Sequence, residues 1–235
     1  HTRKIVYLKD GEVADMQKDR LAIFDAQGKK VTPKIQNVTF KLDAIQKDGF
    51  SHFMLKEIHE QVHVLQTMLS LRIKGKHIHL EGLGMSDQAL KKVQQIIIVA
   101  CGTAYHAGLV GEYIVEQLAG VPVTVELSSE FRYRSPIVGK HTLVIAISQS
   151  GETADTLAAA REAKARGGKV IAICNVVGST LTREAEGVLY TYAGPEIGVA
   201  STKAYTAQLC MMYLLGLKLS LVKKSLSSTQ AGEII

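Results

Sequence analysis

From residue 95 onward the chain alternates continuous apolar runs with polar or helix-patterned stretches. The runs are QIIIVA (95–100), VPVTVEL (121–127), TLVIAI (142–147), KVIAICNV (169–176) and GVLYTYA (187–193). A strand buried on both faces loses the in–out alternation of a half-exposed strand and reads as a continuous apolar run. Five such runs, each followed by a helix or loop, predict an α/β class with a doubly wound, five-stranded parallel sheet. The expected strand order is flavodoxin-like, 2-1-3-4-5.

The first forty residues have a different texture. KIVYL, EVADM and RLAIFD are short strand-like runs separated by turn signals, with Asp10-Gly11 as a hairpin signal. A small β-meander is expected over 1–42, too small for a core of its own. Polar LDAIQKDGFSH then reads as a linker. A helical period follows from about Phe53, with Met54, Ile58, Leu65 and Met68 on one face. The organisation expected is therefore a meander (1–42), a linker and leading helix (43–90) and the α/β unit (91–235). The chain opens without Met and already in a strand-like run, which suggests a piece of a longer polypeptide.

Composition narrows the function classes. Of 235 residues, 46% are hydrophobic and 21% charged, a globular balance. The net charge of +6 comes from scattered pairs such as Lys29-Lys30 and Lys91-Lys92, with no aromatic stripe, which argues against nucleic acid. Cys101, Cys174 and Cys210 form no CxxC pair and sit in apolar segments, as expected of buried thiols in the reducing cytoplasm. The longest apolar stretch, QLCMMYLLGLKLSLV (208–222), is short for a membrane span and carries Lys218, so no membrane is expected. It reads as a buried helix whose CMMYLLG stripe, where left uncovered, would lie open and promote association. His59 and His63 have the spacing of a helical metal pair but lack an HExxH arrangement, so no metal is expected.

The chemistry concentrates where the third run ends, at SQSGET (148–153). In a 2-1-3-4-5 sheet ligands bind beyond the carboxyl ends of strands one and three, where CGTA and SQSGET leave the sheet. Ser148, Gln149 and Ser150 offer protons, Gly151 permits a tight turn, and Thr153 falls in the first helical turn, where free N–H groups favour an anion. These donors suit a phosphate monoester that must bind and leave. The segment is neither a Walker loop nor a GxGxxG fingerprint, and no cofactor is expected. The simpler alternative is plain N-capping, with Glu152 assisting. In EIGVASTKAYTAQ, Ser201 is a candidate cap, with Val199 beside the same mouth. Lys203 could act as a Schiff-base donor or phosphate clamp, pair with Glu196, or face water. Cys101 could serve as a nucleophile or as a packing thiol.

CGTAYHAG, SQSGETADTL, AICNVVGSTLTRE and AGPEIGVASTKAYTAQ, in this order, resemble the sugar isomerase (SIS) half of the isomerising glutamine–fructose-6-phosphate aminotransferases. RKIVYLKDGEVADM resembles the end of that family's glutaminase domain, and FMLKEIHEQ its helix leading into the SIS half. The resemblance implies a homodimeric enzyme converting fructose 6-phosphate to glucosamine 6-phosphate with ammonia from glutamine. It implies substrate contacts at Ser148, Gln149, Ser150 and Thr153, with Thr103 nearby and Val199 and Ser201 at sugar-contacting positions. The family commonly reads CGTS where this chain has Ala104, and EQP where Gln61 is followed by Val62. The glutaminase cysteine and the second SIS subdomain, with the Schiff-base lysine and acid–base groups, have no counterpart here. No catalytic residue is therefore expected in the chain, which reads as a sugar-phosphate-binding half, the missing parts being its partners. The alternatives are a non-catalytic SIS-domain sensor, or a structural half that dimerises and binds nothing.

Overall fold

The computed structural model describes residues 4–37 and 46–234 and divides the chain into two units, 1–46 and 47–235. In the first unit β1 (Lys4–Val6) pairs antiparallel with β5 (Ile35–Asn37), while β2 (Val13–Gln17), β3 (Arg20–Phe24) and β4 (Lys30–Val31) form a three-stranded meander. The turn at Asp10-Gly11 forms, with Gly11 at φ 80° and Glu12 N–H donating to Lys9 O at 3.0 Å. It does not close the expected hairpin, because β1 takes β5 rather than β2 as its neighbour. The turn is local, and the distant pairing decides its partner. The end of the expected meander, 38–42, and the start of the expected linker, 43–45, lie outside the described residues.

The second unit begins with α1 (Phe53–Arg72), the short hairpin β6 (Ile73–Lys74) and β7 (His77–Ile78), and α2 (Asp87–Lys91). Then come β8 (Gln95–Ala100), α3 (Thr103–Ala119), β9 (Val123–Leu127), α4 (Ser128–Phe131), β10 (Thr142–Ser148) and α5 (Ala154–Ala165). β11 (Lys169–Cys174), α6 (Thr180–Glu184), β12 (Gly187–Tyr190), α7 (Lys203–Lys223) and α8 (Ser228–Ile234) complete it. The parallel sheet has the order β12-β11-β10-β8-β9, which is the expected 2-1-3-4-5 read from its far edge. All seven residues of β10 are buried, in keeping with its central place and continuous apolar run.

The two faces of the sheet carry separate cores. Ile96, Ile98, Leu143, Ile145 and Ile147 pack with Val115 of α3 and Met211, Met212 and Leu215 of α7. Ile97, Val99, Val144 and Ala146 pack on the other side with Phe131, with Ala159 and Ala163 of α5, and with Leu181 of α6. Crossovers from β8 and β10 thus go to opposite faces, opening a crevice between their carboxyl ends.

Two helices differ from expectation. α7 spans 21 residues, longer than the apolar stretch alone, and is long and apolar enough to cross a membrane. It packs against α1, α2 and α3, and Met211, Met212, Leu214, Leu215 and Gly216 are buried, so its stripe is core rather than open surface; Tyr213 alone in CMMYLLG is exposed. In α1 the buried side is Lys56, Glu57, Val64, Met68 and Arg72, while Met54 and Ile58 face out. Charged residues occupy the inner face because they tie down other segments: Lys56 pairs with Asp48, Arg72 donates to Tyr190 O, and Glu57 accepts from Ile197 and Gly198. Residues 47–90 belong to the second unit.

Candidate functional site

A cavity of 170 Å³ lies at the crevice between β8 and β10. Its wall includes Thr103, Ser148, Gln149, Ser150 and Thr153, five of the seven expected substrate contacts, together with Cys101, Ala104, Ile147, Thr156 and Gln208. Ser148 is the last residue of β10 and is buried. Its Oγ accepts from Gly151 N–H at 2.9 Å and lies 3.4 Å from Thr153 Oγ1. Ser150 Oγ accepts from Glu152 N–H at 3.2 Å. In both serines a backbone N–H takes up oxygen lone-pair capacity and leaves the hydroxyl proton to be given elsewhere.

The turn is fixed by its surroundings. Gly151 sits at φ 69°, and a Cβ there would strike Ser179 Oγ and lie 2.9 Å from Cys174 Sγ. Only glycine satisfies both the left-handed backbone and the close approach. Gln149 O accepts from the N–H groups of Asn175 and Val176 at 3.2 and 3.3 Å, and Gly151 O from Leu181 N–H at 3.0 Å. Glu152 Oε1 accepts from Thr180 N–H at 2.8 Å. The loop thus leans on the segment after β11. Burial pushes the Cys174 thiol above its ordinary value, only partly offset by its contact with Ser179, so it is a packing group beneath the loop.

The capping alternative fails on geometry. Thr153 is the N-cap residue of α5, yet its side chain makes no capping hydrogen bond, and Glu152 reaches across to Thr180 rather than back into its own helix. α3 likewise begins at Gly102 with no side-chain cap. Two helices of 17 and 12 residues therefore bring uncapped N-termini to one small cavity. Free N–H groups and the positive ends of two helix dipoles make it a place for an anion.

A larger cleft of 600 Å³ lies at the opposite end of the sheet, lined by Lys91, Lys92, Gly120, Lys140, His141 and Lys223 among others. There α2, α3 and α7 end, and Lys223 Nζ donates to Val93 O at 2.6 Å and Lys91 O at 3.3 Å. Lys223 answers the last carbonyl of α2, and the cluster faces the negative ends of the helix dipoles. Burial lowers the Lys223 pKa. The smaller crevice is the better anion site despite its size.

Val199 and Ser201 do not line the cavity; they belong to the strap before α7, and Val199 is fully exposed. The strap is held by carboxylates. Glu57 of α1 accepts from Ile197 N–H at 2.6 Å and from Gly198 N–H at 3.1 Å. Glu196 Oε1 accepts from the N–H groups of Thr202 and Ala204 at 2.9 and 3.1 Å, and Ser201 Oγ donates to Glu196 Oε2 at 2.9 Å. Glu196, not Ser201, caps α7. Lys203 is buried and pairs with Glu60 at 2.6 Å, so it neither bonds Glu196 nor faces water. These contacts explain the charged inner face of α1.

Cys101 lines the cavity, with Thr156 Oγ1 4.0 Å from its sulfur, and no histidine or carboxylate shares that wall. Cys101, Cys174 and Cys210 are all free thiols; Cys174 is buried, the other two half-buried. His59 is exposed and stacks on Phe50 at 5.3 Å. Thr156 and Gln208 are the polar wall residues the sequence did not single out, since each sits inside a helix with no local motif.

Residues 89–218, more than half the chain, match the SIS domain. The chain belongs to the SIS domain family. Over its whole length it is 54% identical to a glutamine–fructose-6-phosphate aminotransferase (isomerising) of Clostridium tetani and 51% identical to one of Caldanaerobacter subterraneus. It spans 39% of the length of either relative. The C-terminal domain of the glucosamine-fructose-6-phosphate aminotransferase of Francisella tularensis superposes with a TM-score of 0.77 at 42% identity, over 80% of this chain and 53% of that one. This chain is thus similar to a portion of those enzymes in sequence and, over most of its length, to about half of that C-terminal domain in fold.

Proposed function

We propose that the chain is the fructose 6-phosphate-binding half of an isomerising glutamine–fructose-6-phosphate aminotransferase, and that it binds the sugar phosphate without converting it. The observation carrying this reading is the meeting of Thr103, Ser148, Gln149, Ser150 and Thr153 on one cavity faced by two uncapped helix N-termini. Phosphate is held by hydroxyl protons and helix N–H groups rather than by lysine, so it is bound without a full counter-charge and is free to leave. Val199 and Ser201, on the strap anchored by Glu57 and Glu196, approach the sugar when the rest of the site is assembled.

In this reading residues 1–42 end a glutaminase-type domain and 91–235 form the first of two SIS subdomains. The remaining parts of the same enzyme bring the catalytic groups, and the assembly is a cytoplasmic homodimer acting on fructose 6-phosphate and releasing glucosamine 6-phosphate. Neither nucleic acid nor a membrane enters the reaction. The buried Lys203–Glu60 pair keeps that lysine out of the chemistry. A turnover assay of the purified chain with fructose 6-phosphate and ammonia tests the division of labour. No glucosamine 6-phosphate should form, and sustained product formation would place catalytic groups within these 235 residues.

A further inference from the structure

The outward side of α1 is an apolar surface that the crevice does not use. Leu55, Ile58, Val62, Leu65 and Leu69 follow one another at steps of three, four, three and four residues, the a/d spacing of a helix that packs along another helix. Leu55, Ile58, Val62 and Leu69 are exposed and Leu65 is half-buried; Val62, at the centre of the row, is 65% exposed. Charge is distributed the opposite way. Lys56, Glu57 and Arg72 are buried and Glu60 is half-buried, whereas the exposed residues of this helix include no Asp, Glu, Lys or Arg. A solvated helix face carries its charges outward, and depletion of charge marks the core of an interface. The strap that Glu57 holds adds the exposed Ile197 and Val199 beside Met54, so the apolar surface continues past the start of the helix.

The chemistry of the face says what covers it. A lipid surface calls for Lys or Arg along the flanks of the apolar row, and α1 presents none there. A different protein chain is selected by charges beside the seam, and the flanks here are Met54, His59, Gln61 and Gln66, with no carboxylate, lysine or arginine. A second copy needs no such code, because the same row meets itself about a twofold axis with no fixed like charges opposed. The central Val62 then lies opposite its own counterpart whether the two helices run parallel or antiparallel. At 20 residues α1 is about 30 Å long, enough for a helix pair to approach the roughly 1,000 Å² that a specific interface needs. We propose that α1 is a self-association surface, through which two copies of the chain pair along Leu55–Leu69 with Val62 facing Val62. This gives the homodimer of the reading above its surface and does not depend on what the crevice binds.

The test is sedimentation equilibrium of the 235-residue chain, of its Val62→Glu and Val62→Lys variants, and of Ile137→Glu as control. Ile137 is 84% exposed, and its neighbour Val138 packs on the core of the other sheet face. The parent should dimerise reversibly across the micromolar range. Val62→Glu and Val62→Lys each set like charges face to face at the centre of the row. Each should raise the dimer dissociation constant about a hundredfold or more, while Ile137→Glu leaves it unchanged. Glutamate and lysine are good helix formers at an exposed position, and circular dichroism checks that each variant is folded. An equimolar mixture of the two variants should regain the dimer as a mixed pair, which requires position 62 of one copy to face position 62 of the other. A folded parent that stays monomeric overturns the proposal and leaves the row to parts of the enzyme outside these residues. Dimerisation that both variants leave intact also overturns it, and the homodimer then stands on another surface. A loss that the mixture does not restore overturns the facing of Val62 on Val62.

Discussion

Ser150 and Thr153 each offer one hydroxyl to the cavity, and removing either takes one charge-assisted hydrogen bond from a bound phosphate. Ser150→Ala and Thr153→Ala should each weaken fructose 6-phosphate binding by about tenfold or more, since such bonds contribute about 1.5–3 kcal/mol. Ala104 is the complementary case. It lines the same cavity without a hydroxyl, so Ala104→Ser should tighten binding by about 1 kcal/mol, roughly fivefold, in the same titration. Cys174 provides a control on burial beneath the loop. Its raised pKa and absence from solvent predict that a maleimide or iodoacetamide at mildly alkaline pH leaves it unmodified in the folded chain and labels it on unfolding, as mass spectrometry of the labelled peptides will read. Residue types alone located the donors at 148–153 because they break an apolar run at a strand exit. Gln208 was not legible in that way. A lone glutamine in a buried helix joins the cavity wall only once α7 packs beside α3.

At the scale of elements, the site is the product of one turn and one strap. Gly151→Ala would force a side chain into the left-handed region and against Ser179 and Cys174, at a cost of roughly 1–3 kcal/mol or more. Urea unfolding should show the loss, and phosphate binding should go with it, because the Ser148 and Ser150 geometry depends on that turn. On the strap, Glu57→Ala removes the carboxylate that accepts from Ile197 and Gly198 and leaves their N–H groups without it. Hydrogen exchange at 197–198 should quicken markedly, while amides of β10 and β11 keep their protection; unchanged exchange would mean the strap is held by other contacts. The strands were readable because burial on both faces writes an unbroken apolar run, as in β10. α1 was readable as a helix but not in its orientation. Its inner face carries Lys56, Glu57 and Glu60 to hold other segments, while of the expected apolar stripe Met54 and Ile58 face outward, Leu65 is half-buried and only Met68 lies fully inside. Asp10-Gly11 shows the same limit: a turn is local, and the strand it serves is chosen from a distance.

Over the whole molecule, the doubly wound sheet sends α3 and α5 to opposite faces and so creates both the crevice and the pair of helix N-termini that fill it with positive potential. A crevice that favours an anion follows from topology plus a handful of donors, with no lysine required. The opposite end of the sheet gathers helix C-termini and lysines, which compensate one another. The central claim is that the crevice at Ser148 holds the phosphate of a sugar phosphate. The most direct test is a calorimetric titration of the 235-residue chain with fructose 6-phosphate, using fructose and inorganic phosphate as controls and Thr153→Ala as the site variant. The account predicts saturable binding of fructose 6-phosphate, none of fructose, weaker binding of phosphate, and a loss of affinity in the variant. A folded chain that ignores fructose 6-phosphate, or binds it equally well without the Thr153 hydroxyl, would contradict it.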